Sequence, residues 1–342
     1  MRTRITAGVV VAAAGLSVLV GGAAPRAGAQ DKAKLEPPRH LYGQDLKVRN
    51  GGKTDFGPDT PRIGVEVFLD DTTRTIIFLS ETGALAVTKA PTGGALGADR
   101  KCEWKTAHDL SVRKAGEAEF SQKTKKWGVE LFQDRATNQL LYVCESGSVM
   151  LAPVPPGLVT SAGPKWHHAL EAKVRAPEQE SFDTAKRFGL EVFKDENTGG
   201  LIYITDVGAI AGATTALPAP DPKKPVPAPK ALYGLDLRVR GAEEDNFTDK
   251  TRRIGVEVFE DPSTGVLFYL TDAGYIATAP GGKLVPKATG VTWKSAMALR
   301  ARKGGEKDFD KAKKYGIEVF EDNRTGNLIF LCETGAIAVL PK

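Results

Sequence analysis

Short, wholly apolar runs recur along the chain, each set between polar turn residues. They are Ile76-Ile-Phe-Leu79, Leu140-Leu-Tyr-Val143, Leu201-Ile-Tyr-Ile204, Leu267-Phe-Tyr-Leu270 and Leu328-Ile-Phe-Leu331. A four-residue run with no polar side, bounded by Gly- and Asp-bearing turns, predicts a strand covered on both faces. The flanking residues complete the pattern. In the last copy, Ala298 to Arg302 alternates and predicts an outer strand, Ile317 to Phe320 a second, and Ala336 to Val339 a returning fourth. Asp322-Asn-Arg-Thr-Gly326 and Glu333-Thr-Gly335 carry the chemistry of tight turns between them. Phe309 to Tyr315, between Asp308 and Gly316, predicts a short helical turn; Pro61 in the first copy bars a longer helix there.

The pattern is a repeat in strict register. Gly64, Gly128, Gly189, Gly255 and Gly316 lie 64, 61, 66 and 61 residues apart. Each is followed by Glu at plus two, Phe at plus four, Asp at plus six, Thr at plus nine, an acid at plus seventeen and Gly at plus nineteen. Ahead of each stands an Arg with Phe seven residues later. About fifty residues bury too little surface to be comfortably stable alone, so neighbouring copies must cover one another. The expected fold is an all-β repeat protein of five four-stranded copies, each with a short helical turn. A five-bladed β-propeller or another closed or stacked array suits this best, with the small-large-small fourth strand, as in Ala209-Ile-Ala211, near an axis. Tandem small β modules are the rival, because the connections 90–101, 152–165, 217–230 and 279–290 are long and rich in Pro and Gly. Leu232-YGLDLRVR echoes Leu41-YGQDLKVR, as though a larger unit had been copied.

The organisation read from sequence is a signal peptide at 1–29, a linker at 30–39 and repeats at 40–91, 104–155 and 166–217. A Pro-rich linker at 218–230 precedes repeats at 231–280 and 293–342. Arg2 and Arg4 precede an uncharged, mostly apolar stretch from Ile5 to Ala24, and Ala27-Gly28-Ala29 offers a cleavage site. Export to the cell envelope, the periplasm or the outside follows as the expectation. Without the leader's three arginines the chain holds 44 basic and 42 acidic residues, which gives no general attraction to nucleic acid or acidic membranes. No second segment is apolar for long enough to span a bilayer. Of three cysteines, Cys144 and Cys332 share one repeat position with Ser80, Thr205 and Thr271, which predicts a small buried site. Cys102 lies apart; a Cys102–Cys144 bridge is the alternative to free thiols.

Candidate chemistry is sparse. Arg49, Arg113, Arg175, Arg240 and Arg302 recur with Glu66, Glu130, Glu191, Glu257 and Glu318, and read as ion pairs within each repeat. Asp at plus six with Thr at plus nine reads as a hairpin rather than a calcium loop, Asp195-Glu-Asn197 included. The basic residues before each glycine, among them Arg62, Lys126, Arg187, Arg253 and Lys314, would form five positive spots on a ring. Trp104, Trp166 and Trp293 share one aligned position, filled in the other repeats by His40 and Ala231; exposed there, tryptophan would stack on sugar faces. Catalysis would need residues that the other copies lack, such as His40, His108 or His167-His168. The last two are adjacent and on a regular strand would face opposite ways, a poor metal pair. No nucleophile elbow, zinc-protease, P-loop or dinucleotide motif is present.

In repeat count and strand number alone, with no shared motif, the chain is similar in outline to five-bladed lectin propellers, a likeness that says little about function. The functional expectation is an exported, non-enzymatic scaffold binding carbohydrate without cofactor or metal, its partner a polysaccharide or envelope protein. A structural or protein-interaction component of the envelope is the alternative, and a polysaccharide-active enzyme with its site in one inter-repeat cleft the second alternative.

Overall fold

The computed structural model describes residues 37–92, 96–158, 160, 162–214 and 227–342. The expected leader and residues 218–226 of the Pro-rich stretch lie outside them. Each repeat forms one four-stranded antiparallel sheet, and the five sheets are the blades of a β-propeller. Blade 1 holds β1 (Arg39–Lys47), β2 (Arg62–Asp70), β3 (Thr75–Ser80) and β4 (Leu85–Lys89). Blade 2 holds β5 (Cys102–Val112), β6 (Lys125–Asp134), β7 (Gln139–Cys144) and β8 (Val149–Pro153). Blade 3 holds β9 (Pro164–Val174), β10 (Lys186–Asp195), β11 (Leu201–Thr205) and β12 (Ile210–Ala213). Blade 4 holds β13 (Lys230–Val239), β14 (Arg252–Glu260), β15 (Leu267–Thr271) and β16 (Ile276–Ala279). Blade 5 holds β17 (Val291–Ala301), β18 (Lys313–Asp322), β19 (Leu328–Cys332) and β20 (Ile337–Leu340).

The fourth strand of every blade is the inner one. β4, β8, β12, β16 and β20 form a ring in which β20 lies beside β4, so the propeller closes. Ala86, Met150, Ala211, Ala277 and Ala338 of these strands line a pocket of about 80 Å³ at the centre of the ring. The all-apolar runs are the third strands, buried on both faces as their composition requires. The outer strands bury alternate residues, since only one of their faces meets a neighbouring blade.

The expected helical turn is absent: among the described residues there is no helix. The segment after each Arg instead makes β-turns, such as Ala312 N–H to Phe309 C=O at 3.2 Å. The second strand then starts early, with Tyr315 paired to Leu299. Cross-strand bonding over Lys313 to Tyr315 outcompetes a one-turn helix, which has few internal bonds to offer. The hairpin reading of Asp at plus six holds in all five copies. In each, Oδ1 accepts from the amide two residues on and Oδ2 from the Thr hydroxyl, as in Asp322 with Arg324 N at 3.0 Å and Thr325 Oγ1 at 2.8 Å. Ser80, Thr205 and Thr271 are buried, and their hydroxyls accept from the amide four residues on. Cys144 and Cys332 occupy the same position, and all three cysteines are free thiols. Burial pushes Cys144 and Cys332 up to about 11, which leaves both unreactive near neutrality.

Candidate functional site

The recurring arginines and glutamates meet, though not within a repeat as expected. Each Arg crosses to the Glu of the next blade: Arg49 to Glu130, Arg113 to Glu191, Arg175 to Glu257, Arg240 to Glu318, and Arg302 back to Glu66. The reason lies in the chain path. The Arg follows the outer strand at its end, where the backbone runs onto the neighbouring blade. Its carbonyl sits where a Cβ on the repeat glycine would stand: Arg49 over Gly128, Arg302 over Gly64. The repeat glycines are therefore inter-blade contacts. Each pair is bidentate, Arg Nε to Oε1 at 2.6–2.7 Å and Nη2 to Oε2 at 3.1–3.3 Å, with Nη1 donating to a carbonyl five residues on. Hydrogen bonds to the carboxylate raise Arg49 and Arg302 above the usual guanidinium value. Burial alone would raise Glu66, but the bonds from His40 and Arg302 overcome it and hold its carboxyl below the usual range.

Aromatic rings complete these seams. The Phe seven residues after each Arg lies under the guanidinium, Cζ to ring centroid 4.5–4.8 Å in all five copies. From the next blade, Trp104, Trp166 and Trp293 donate Nε1–H to Oε2 of Glu130, Glu191 and Glu318 at 2.6–2.7 Å. His40 Nε2 meets Glu66 Oε2 at 2.7 Å. The tryptophans thus belong to the same stations as the arginines, which sequence spacing did not show. Trp104 and Trp166 stay 45% and 48% exposed, each edge-to-face with an exposed partner, Phe56 or Phe120. The fixed plus-seven spacing was the available signal for these phenylalanines. Such a station offers a rigid aromatic face, while its Arg and Glu are committed to each other. Beside Arg113–Glu191 and Arg240–Glu318 lie hollows of about 200 Å³, the first lined also by Glu117 and Glu171, the second by Glu244 and Asp245.

The basic spots stand at the starts of the second strands. Arg62 pairs with Asp45, Arg187 with Glu171, Arg253 with Asp236 and Glu178, and Lys314 with Glu243; Lys126 is exposed. The acids at plus seventeen latch the preceding blade: Glu145 accepts from Gly51 N, Asp206 from Ala115 N, Glu333 from Ala242 N and Glu81 from Gly304 N.

Three histidines, His108, His167 and His168, are buried. Among the described residues neither ring nitrogen of His108 has a hydrogen-bond partner. The rings of His167 and His168 do meet, Nδ1 to Nδ1 2.6 Å apart, contrary to the expectation that they face opposite ways. His167 is a β-bulge residue left out of the pairing between β9 and β10, and the bulge turns two successive side chains to one side. Every outer strand carries a bulge at this place, at Leu41, Lys105, Leu232 and Lys294 in the others. His168 Nε2 reaches Asp261 Oδ2 at 3.1 Å, and Tyr203 donates to the same oxygen at 2.7 Å. Burial alone would raise Asp261, but these bonds hold it below the usual range.

No family model matches the chain, and no curated protein matches it. Two solved structures of virginiamycin B lyase from Staphylococcus aureus are weakly similar. The selenomethionine-substituted enzyme is 12% identical over 88% of each chain, with a TM-score of 0.12. A catalytically inactive variant with quinupristin is 12% identical over 86% of this chain and 97% of that one, with a TM-score of 0.13. A likeness at these scores carries no argument about what this protein does.

Proposed function

We propose that the protein is an exported, non-enzymatic scaffold that binds polysaccharide at several stations along its outer rim. The observation that carries this reading is the repeated placement of exposed aromatic rings on rigid inter-blade ion pairs. Trp104 and Trp166 are each held through Nε1 to a buried carboxylate, so their exposed faces are fixed before a ligand arrives. Rings held in this way lose little entropy on stacking against the C–H face of a sugar. Single contacts of this kind are weak, and repetition around a ring converts them into avidity for a polymer. The leader-like N-terminus supports a place in the cell envelope.

The test is retention of the folded chain on immobilised cell-wall polysaccharides, compared with a Trp104→Ala, Trp166→Ala double variant. Retention by the parent and at least about tenfold weaker binding by the variant is expected, equivalent to about 1.4 kcal/mol. Equal retention of the two, or none by the parent, refutes the reading; capture of an envelope protein in its place would favour a protein-interaction component.

A further inference from the structure

Four seams are completed by a ring N–H on the glutamate: Trp104, Trp166, Trp293 and His40. The seam between blades 3 and 4 has Ala231 at that position. Glu257 there accepts only from Arg175 among the described residues, Nε to Oε1 at 2.6 Å and Nη2 to Oε2 at 3.3 Å. The Arg175 side chain is 25% exposed, against 11, 13, 16 and 19% for its equivalents. Of its five N–H groups, Nε and one on Nη2 go to Glu257, and one on Nη1 goes to the Glu180 carbonyl at 3.3 Å. Two remain uncommitted. Phe182 still lies under the guanidinium, 4.6 Å from Cζ, but among the described residues no ring covers the other side as Trp104 and Trp166 do for Arg49 and Arg113. The same seam departs from the rest at the plus-seventeen acid. Among the described residues Asp272 makes no bond to the preceding loop, whereas the acids of the other four seams do.

We infer that this seam is a monosaccharide subsite, in which a pyranose ring takes the place that indole holds elsewhere. One hydroxyl donates to Glu257 Oε2, as the indole N–H does in the filled seams. Other ring oxygens accept from the two remaining N–H groups of Arg175, and the sugar lies over the guanidinium plane. A carboxylate as the main acceptor selects against anionic rings, so the ligand class is a neutral or amino sugar. The inference rests on the carbohydrate reading and says which seam engages a single sugar through hydrogen bonds rather than by stacking alone.

The experiment is saturation-transfer NMR of the folded chain with methyl glucoside, methyl galactoside, methyl mannoside and N-acetylglucosamine, each tested to about 10 mM, followed by titration of the strongest. The deciding variant is Ala231→His. Blade 1 carries His40 ahead of the same Leu-Tyr-Gly sequence, so this change rebuilds an arrangement the protein already contains. Ala231→Trp is the second variant should the first not fold. At least one sugar is expected to bind the parent, with affinity reduced about tenfold or more by filling position 231. Unchanged affinity in both folded position-231 variants, or no sugar bound by the parent, overturns the subsite. The carbohydrate reading fails separately, by loss of polymer retention in the parent.

Discussion

Replacing His108 by Leu is expected to stabilise the protein and to flatten its response to acid. His108 is 4% exposed, and among the described residues neither imidazole nitrogen has a hydrogen-bond partner. Blades 3 and 4 carry Leu170 and Leu235 at the aligned position, both buried, so the fold already accommodates leucine there. A buried polar group without a partner costs about 1–3 kcal/mol, and the variant should gain an amount in this range near pH 7.5. Acid adds a second difference. Burial holds the His108 pKa below its ordinary value, and the Asp195 carboxylate opposes this only in part. As pH falls through about 6.5, the unfolded chain binds a proton that the folded chain refuses. Stability then declines by up to about 1.4 kcal/mol per pH unit until the folded imidazole itself titrates. The variant lacks this loss, so the gap between the two proteins should widen towards acid. Urea unfolding followed by tryptophan fluorescence at about pH 7.5, 6.5 and 5.5 reads both effects. A variant less stable than the parent at the highest pH, or a gap that stays constant down the series, would refute the reasoning.

Three further substitutions probe the seams. Glu66→Gln at the closing seam should cost about 3 kcal/mol at neutral pH, because the partly buried Arg302 is left without a countercharge. Since the Glu66 pKa is lowered by folding, its contribution is present above the ordinary carboxylate value and lost as pH falls below it. The variant's unfolding midpoint should therefore change less with acid than the parent's; parallel curves would contradict this. Gly128→Ala should destabilise by about 3 kcal/mol, since the new Cβ meets the Arg49 carbonyl, which is backbone and cannot swing aside; a thermal midpoint within error of the parent's would contradict the close-approach account. Phe330→Tyr should add about 1 kcal/mol. Tyr142, Tyr203 and Tyr269 at the aligned position donate to the hairpin Asp of the next blade, whereas among the described residues Asp70 receives only its own turn's donors. A lowered midpoint would show that the extra hydroxyl does not fit.

The sequence made the blades legible because burial on both faces leaves no choice of residue: runs such as Ile76 to Leu79 can only be inner or middle strands. The Asp–Thr hairpins were equally plain, since their chemistry is local. The seams were not. Arg49 and Glu66 recur together in every copy, and that co-occurrence is the same whether the pair forms inside a blade or across to the next. Only the chain path, which brings the Arg49 carbonyl onto Gly128, decides between them. The bulge that turns His167 beside His168 also has no local signature, because it arises from pairing with β10. The short helix was misread for a related reason: Lys313 to Tyr315 has helix-forming residues, but β17 offers it cross-strand bonds.

Among the described residues no strand is exchanged between the first and last blades: β1 to β4 come from one continuous segment, as do β17 to β20. Closure rests on side chains and packing, chiefly Arg302 with Glu66, Gly304 with Glu81 and the Tyr315 hydroxyl with the Glu81 carbonyl. Topologically the fifth boundary is then no different from the other four. A circular permutant opened between any two blades, with the native ends joined by a flexible peptide, should assemble the same wheel. Such a chain could also grow or shrink by whole spokes during evolution without having to reinvent its fastening.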